Sequence, residues 1–175
     1  WALAALAIKI EDGGDIFFGQ ERVGRGGDVF RVLKFRSMIP DAEAKVGALQ
    51  AARHDPRITR VGRWLRSTAM DELPQLLSIF QGHMSFVGPR PLLMQYLPLY
   101  SPEQARRHDV LPGLTGWAQV NGRNATDWNT RFKLDVWYVD HQSFWLDIKI
   151  IPMTFGKVFK RAGVNQEGQA TVEYF

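Results

Sequence analysis

The sequence predicts an α+β fold that is mostly helical, with a small β-hairpin or sheet packed among the helices. The chain has 175 residues, 45% of them hydrophobic, which is enough for one domain with a buried core. Two runs of strand-forming residues flank the glycine-rich turn Gly24-Arg-Gly-Gly27. Most later segments carry apolar residues at helical spacing or helix-capping signals, so helices should dominate.

The chain opens with the apolar run WALAALAIKI, which is followed by Glu11 and Asp12. This run is too short to cross a bilayer, which requires about 20 residues. We interpret residues 1–12 as the end of a longer hydrophobic, membrane-associated helix. The absence of cysteine excludes disulfides and thiolate metal sites, and the four scattered histidines form no zinc motif.

The next segments predict the hairpin and one helix. Residues 16–21 and 29–38 should be its two strands, since they lie on either side of the glycine turn. An alanine-rich helix is expected from Pro40 to about Ala52, where the sequence HDPR breaks the pattern.

Arginine recurs at every third position from Arg57 to Arg66, beside the apolar Trp64 and Leu65. A helix here would carry a basic stripe next to an apolar one, which is typical of amphipathic helices at an anionic membrane interface. The alternative is an ordinary surface helix with solvated arginines. A second apolar and basic segment, IKIIPMTFGKVFKRAGV, lies near the carboxyl end, so the sequence favours a protein that lies on a membrane.

Two adjacent acids, Asp71 and Glu72, precede Pro74 and an apolar run. Because proline is best tolerated in a first helical turn, a helix should begin near this proline. Four apolar residues have the spacing of one buried helical face: Leu73, Leu76, Leu77 and Phe80. One acid at a helix start is ordinarily a cap, but two are also suited to phosphoryl chemistry if a metal neutralises their charge.

Downstream, residues 82–91 predict a loop or short strand that holds Arg90 between two prolines. Ser101-Pro102-Glu103 predicts the capped start of a helix that continues to about Val110. The stretch LPGLTGWAQVNGRNATDW is rich in glycine and predicts a long structured loop rather than a helix.

A further helix is predicted from about Asp127 to Asp140. Its Asp135 shares a helical face with Trp128 and Phe132. An acid among aromatic rings is costly unless it is paired or binds a cation. The alternative is a solvated surface acid, and the spacing alone leaves both interpretations open.

Six stretches in order resemble the bacterial sugar transferase family, the monotopic polyprenyl-phosphate phosphoglycosyl transferases. They are GQERVG, FRVLKFRSM, LRSTAMDELPQLLSIFQGHMSFVGPRPLL, PGLTGWAQVNGRN, KLDVWYV and GQATVEYF. The resemblance implies a single catalytic domain over residues 13–175 on the cytoplasmic face of the bacterial inner membrane. It also implies that residues 1–12 are the remnant of an N-terminal re-entrant membrane helix.

The resemblance further implies the reaction. Asp71 would attack the β-phosphate of a UDP-sugar, form an aspartyl phosphosugar and expel UMP, and polyprenyl phosphate would then accept the sugar-1-phosphate. The cofactor would be Mg²⁺, held by Asp71 and Glu72, although Glu72 could instead assist proton transfer. By the same resemblance Lys34 and Arg90 would bind a phosphate, and Asp135 would orient a catalytic group or support the metal. Arg123, in the Asn-Gly-Arg turn of the glycine-rich loop, is a candidate contact for the nucleotide.

Two other function classes match parts of the sequence. A nucleic-acid-binding module would use the arginine stripe and the interleaved aromatic residues. A non-catalytic membrane scaffold would use only the amphipathic segments. The transferase interpretation has membrane lipid but no nucleic acid among its partners, and it alone predicts UMP release that depends on Asp71.

Overall fold

The computed structural model of the protein describes residues 1–40, 42, 55–122 and 127–160. The helices are α1 (Ala2–Asp12), α2 (Arg60–Ser67), α3 (Gln75–Phe80), α4 (Pro102–Ala105), α5 (Trp117–Asn121), α6 (Trp128–His141) and α7 (Phe144–Lys160). The strands are β1 (Phe17–Val23), β2 (Val29–Phe35), β3 (Ser85–Val87) and β4 (Gly113–Thr115). Short 3₁₀ turns cover Arg25–Gly27, Met70–Glu72, Met94–Leu99 and Arg106–His108. The predicted mixture of helices and small sheets is confirmed.

The predicted hairpin is present. Strands β1 and β2 pair antiparallel, with Phe17 opposite Phe35 and Val23 opposite Val29. The turn between them contains Gly26 and Gly27, at φ 67° and 88°, a left-handed conformation that glycine adopts without steric cost. A second small sheet pairs β3 with β4 in parallel.

Helix α1 packs against β2 and α2 in the first of three apolar clusters within the described residues. Its buried members are Ala4, Ile8, Phe35 and Leu65, and the partly buried Met70 and Leu73 pack against them. The carboxylate of Glu11, at the end of α1, accepts hydrogen bonds from the backbone amides of Arg60 and Val61 at 2.6 and 3.0 Å. This contact caps the amino end of α2, so α1 is tied to the helix that precedes the two adjacent acids.

The remaining two clusters lie under the other helices. Phe30, Val32 and Met84 pack the hairpin against Ile79 of α3. Val87, Val120, Tyr138 and Ile150 join β3 to α5, α6 and α7. The small sheets therefore serve as surfaces against which the helices pack.

Helix α2 carries the predicted amphipathic pattern, although it begins later than the arginine stripe. Thr59 caps it through a hydrogen bond from the amide of Gly62, and Arg57 lies outside it, paired with Asp55 at 2.6 Å. Leu65 is buried, whereas Trp64 is 55% exposed. No helix in the described parts of the chain is long and apolar enough to span a membrane.

Two element predictions are wrong. In α3 half of the predicted buried face is exposed, since Leu77 is 40% and Phe80 92% exposed while the polar Gln75 and Ser78 are buried. The glycine-rich stretch predicted as a loop contains β4 and α5. Its glycines flank a run without glycine, Trp117 to Asn121, which is free to form a helical turn. The predicted alanine-rich helix up to Ala52 lies almost wholly outside the described residues.

Candidate active site

The two adjacent acids lie on the 3₁₀ turn Met70–Glu72, between α2 and α3. Ala69 lies directly before this turn and has a φ of 56°. Among the described residues, it is the one residue other than glycine whose φ is positive. A left-handed alanine is strained, so the turn adopts an uncommon backbone path immediately before the acids. The result is that Asp71 is buried and Glu72 faces the hairpin and residue 90.

Glu72 bridges two cations. Its Oε1 accepts a hydrogen bond from Lys34 Nζ at 2.8 Å and another from Arg90 Nη2 at 2.6 Å, and its Oε2 lies 3.4 Å from Arg90 Nη1. Lys34 comes from β2 and Arg90 from the segment after β3, so the chain brings three distant stretches together. Three of the predicted site residues therefore form one cluster.

Charge and burial act in opposite directions on Glu72. Burial tends to raise its pKa, but the positive charges of Arg90 and Lys34 and their hydrogen bonds together hold the pKa well below its ordinary value. Burial lowers the pKa of Lys34, and the negative charge of Glu72 acts against this shift. The same charge raises the pKa of Arg90. Glu72 is thus ionised and neutralised by its two partners.

Asp71 differs from its neighbour. It is 9% exposed, and no hydrogen bond from a described residue acts on its carboxylate. Burial and the adjacent Glu72 carboxylate raise its pKa and outweigh the positive charges of Lys34, Arg66 and Arg90, which act in the opposite direction. A carboxylate without a partner, in a site rich in positive charge, is available to react.

A small cavity opens beside this cluster. Its lining residues are Arg22, Val32, Lys34, Gln75, Arg90 and Pro91. Three of these six carry positive charge and none is acidic, so the cavity is suited to an anion.

Asp135 lies apart from the cluster and joins it indirectly. Its Oδ2 accepts hydrogen bonds from Arg107 Nε at 3.1 Å and Nη2 at 2.8 Å, and both side chains are buried. Burial raises the pKa of Asp135, which Arg107 opposes. Asp135 is therefore not a solvated surface acid. The guanidinium of Arg107 also donates a hydrogen bond to the carbonyl oxygen of Arg90 at 2.7 Å, which links Asp135 to the cluster.

Arg107 and Arg22 are residues that the sequence patterns did not single out. Arg107 lies in the 3₁₀ turn after α4, 28 residues from Asp135 along the chain. Arg22 lies in β1, and its Nη1 donates a hydrogen bond to the carbonyl oxygen of Pro91 at 3.3 Å. The stretch GQERVG, which contains Arg22, was the available signal for that residue. Arg123, predicted at the nucleotide, lies outside the described residues.

The donor set fits magnesium bound with its substrate. Within the described residues there is no group of three or more histidine, cysteine or acidic side chains that could hold a metal. Mg²⁺ usually takes one or two carboxylates together with water and substrate phosphates, so it does not require such a group. Asp71, unpaired and beside Glu72, is a suitable oxygen donor.

Comparison with known proteins identifies the family. The family model described as bacterial sugar transferase matches residues 1–161. The chain is 49% identical over all of its 175 residues to the uncharacterised sugar transferase EpsL of Bacillus subtilis and spans 84% of that protein.

Two further relatives are longer proteins. The chain is 44% identical over 171 residues, 91% of its length, to an undecaprenyl-phosphate glucose phosphotransferase of Komagataeibacter xylinus. It is 40% identical over 166 residues, 87% of its length, to an undecaprenyl-phosphate galactose phosphotransferase of Salmonella typhimurium. The chain spans 32% and 35% of these two relatives. The chain belongs to the bacterial sugar transferase family and is a transferase.

Proposed function

We propose that the protein transfers a sugar-1-phosphate from a UDP-sugar to polyprenyl phosphate, with release of UMP, through a covalent aspartyl intermediate. The observation that carries this proposal is the contrast between the two acids. Glu72 is neutralised by Lys34 and Arg90, whereas Asp71 is buried, unpaired among the described residues and surrounded by positive charge. The names of the longer relatives, which act on undecaprenyl phosphate, support the same class of reaction.

The proposed reaction has two displacements at one phosphorus atom. An Oδ of Asp71 attacks the β-phosphorus of the UDP-sugar, and the bond from that phosphorus to the bridging oxygen breaks, so that UMP leaves with the electron pair. An oxygen of polyprenyl phosphate then attacks the same phosphorus and expels the Asp71 carboxylate. The product is polyprenyl diphosphate sugar, and Asp71 is regenerated.

Lys34 and Arg90 would bind the diphosphate in this scheme. Arg90 is 43% exposed and presents a planar fork that suits phosphate oxygens, and Lys34 supplies a point charge. Since Glu72 now occupies both cations, substrate binding would exchange a carboxylate for phosphate and free Glu72. Bound Mg²⁺ would supply further neutralisation of phosphate charge, with Asp71 and Glu72 as its protein ligands.

The membrane would be the second partner. Polyprenyl phosphate is a lipid, so the active site has to work at a bilayer surface, which we place on the cytoplasmic face of the bacterial inner membrane. Helix α1 exposes Leu3, Leu6 and Ile10 on one side and buries Ala4 and Ile8 on the other. Exposed apolar residues at helical spacing suit an interface between protein and lipid.

The decisive experiment is an intact-mass spectrum after incubation with Mg²⁺ and a panel of UDP-sugars, without any lipid. The wild-type protein should gain the mass of a sugar phosphate and release UMP. Asp71→Asn should do neither, because an amide is a poor nucleophile. No adduct and no UMP from folded, nucleotide-binding wild-type protein would rule out Asp71 as nucleophile.

The same experiment separates the other function classes. A nucleic-acid-binding module or a membrane scaffold would show no nucleotide turnover, and its function would survive Asp71→Asn. Nucleic-acid binding would also weaken steeply with salt and with Arg63→Glu.

A further inference from the structure

Four successive backbone carbonyls around Arg90 each accept a hydrogen bond, and the four donors come from three other parts of the chain. The oxygen of Pro89 accepts from the amide of Gly113 at 3.0 Å, and that of Leu92 accepts from the amide of Val23 at 3.0 Å. Between them, the oxygens of Arg90 and Pro91 accept from two arginine side chains, Arg107 at 2.7 Å and Arg22 at 3.3 Å. We call residues 89–92 the Arg90 segment.

The sequence of the segment adds to this restraint. Pro89 and Pro91 have a fixed φ and no amide hydrogen, and a residue that precedes proline is confined to extended conformations. The side chain of Arg90 leaves this rigid backbone and is 43% exposed at its ion pair with Glu72. An exposed side chain thus has an unusually well-held backbone.

Of the two arginine side chains that donate to the Arg90 segment, Arg107 is the buried one. Its side chain is 2% exposed, and its Nη2 contacts both Asp135 Oδ2 and the Arg90 oxygen. The guanidinium also lies 5.8 Å from the ring centroid of Tyr100 and 5.6 Å from that of Phe132. Burying an arginine is costly, and the Asp135 carboxylate offsets that cost.

We infer that Arg107 and Asp135 are positioning residues, which hold the backbone of Arg90 so that its guanidinium is aimed at the substrate phosphate. This inference rests on the proposed role of Arg90. Neither Arg107 nor Asp135 then touches substrate. They affect the reaction only by fixing the position of Arg90, because Arg107 donates a hydrogen bond to the Arg90 carbonyl oxygen.

An adjacent ion pair provides a matched control. Arg106 and Asp140 also join the 3₁₀ turn after α4 to α6, but this pair is exposed, at 44% and 43%. Its hydrogen bond runs from Arg106 to Asp140 and does not reach the Arg90 segment. Asp140→Asn therefore makes the same chemical change as Asp135→Asn on the same helix, but it should leave the position of Arg90 unchanged.

The first test measures kcat/KM for UMP release. Asp135→Asn and Arg107→Lys should each lower it about 10- to 100-fold, since small misplacements of a positioning group cost that much. Lysine keeps the charge but lacks the fork that reaches two acceptors. In an Arg90→Ala background the same changes should have less than about a twofold effect. Equal losses in both backgrounds would overturn the inference, and Asp140→Asn should match wild type.

The second test does not depend on the reaction. Amide hydrogen exchange at Gly113, whose N–H binds the Pro89 oxygen, should be faster in Asp135→Asn than in wild type or Asp140→Asn. Unchanged exchange in folded protein would contradict the restraint. If the wild type releases no UMP but exchange still accelerates, the proposed function fails while the restraint stands.

Discussion

At the scale of single residues, the charge of Lys34 acts on two carboxylates, Glu72 and Asp71, in different ways. Lys34 Nζ binds Glu72 at 2.8 Å, and its charge also acts to lower the pKa of Asp71, which burial raises. The reactivity of Asp71 therefore depends on a lysine to which it is not hydrogen-bonded. A neutral side chain at position 34 should alter when Asp71 ionises.

We expect Lys34→Met to move the acid limb of the kcat/KM profile to higher pH. Removing the positive charge raises the pKa of Asp71, so a smaller fraction of the nucleophile is ionised at any given pH. The measurement is UMP release as a function of pH. Lys133→Met, at an exposed position on α6, serves as the control and should leave the limb in place. A limb that stays in place in Lys34→Met, or moves to lower pH, would contradict the assignment.

The site residues differ in how far the sequence could reveal them. Asp71, Glu72, Lys34 and Arg90 lie in stretches that resemble the family, and three of them meet in the structure. Arg107 carries no such signal, because its partners lie 28 and 17 residues away and periodicity reports only local spacing. Contacts between distant segments of the chain require the fold.

At the scale of secondary structure, α2 is held by a close backbone approach. A Cβ built on Gly62 would lie 2.0 Å from the carbonyl oxygen of Ser37, so no larger residue fits unless α2 shifts. Leu65, on the same helix, is fully buried beside α1. A displaced α2 would therefore loosen the first apolar cluster.

We expect Gly62→Ala to lower Tm and Gly156→Ala to raise it. Both glycines lie in helices, where alanine is preferred by about 1 kcal/mol. At Gly156 a Cβ meets nothing within 4 Å, so the preference of the helix decides, whereas at Gly62 the clash with Ser37 decides. Thermal unfolding monitored by circular dichroism tests both. A Gly62→Ala variant at least as stable as wild type would show that α2 is not seated as described.

The incorrect prediction for α3 has a physical reason. Helical periodicity assumes that apolar residues face the core, but α3 has only six residues and begins three residues after the end of a 3₁₀ turn. That turn sets its rotation, which buries Gln75 and Ser78 and exposes Phe80. Helix α6, which has 14 residues and an Asp127 cap, was predictable because its length and its start signal agree.

At the scale of the whole molecule, exposed apolar side chains occur on the helices at both ends of the described chain. On α1 they are Leu3, Leu6 and Ile10, at 83%, 56% and 75% exposure. On α7 they are Phe144, Trp145, Ile148 and Phe155, at 68%, 77%, 47% and 59%. Helix α2 likewise exposes Trp64 and carries three arginines, and exposed apolar residues together with arginines are typical of proteins that bind a membrane surface.

We expect the protein to bind vesicles that contain anionic lipid and Trp145→Glu to bind them several-fold more weakly. A buried carboxylate is costly at the lipid interface, and the aromatic anchor is lost. Trp145→Phe keeps an apolar ring and should bind nearly as well as wild type. Cosedimentation at increasing salt measures both the apolar and the electrostatic contribution. Equal binding by wild type and Trp145→Glu would exclude α7 from the contact.

The ion pairs of Glu72 also bear on ligand selection. In the absence of substrate, the two cations already hold an anion that is covalently part of the protein, and its effective concentration is the same whatever the surrounding solution contains. Glu72 thus acts as an internal competitor. One oxygen of Glu72 contacts both cations, so an incoming anion has to displace this tethered carboxylate before it can bind them. A substrate that makes further contacts in the site can offset the cost of that displacement, whereas an anion held by these two cations alone has to compete with Glu72 directly.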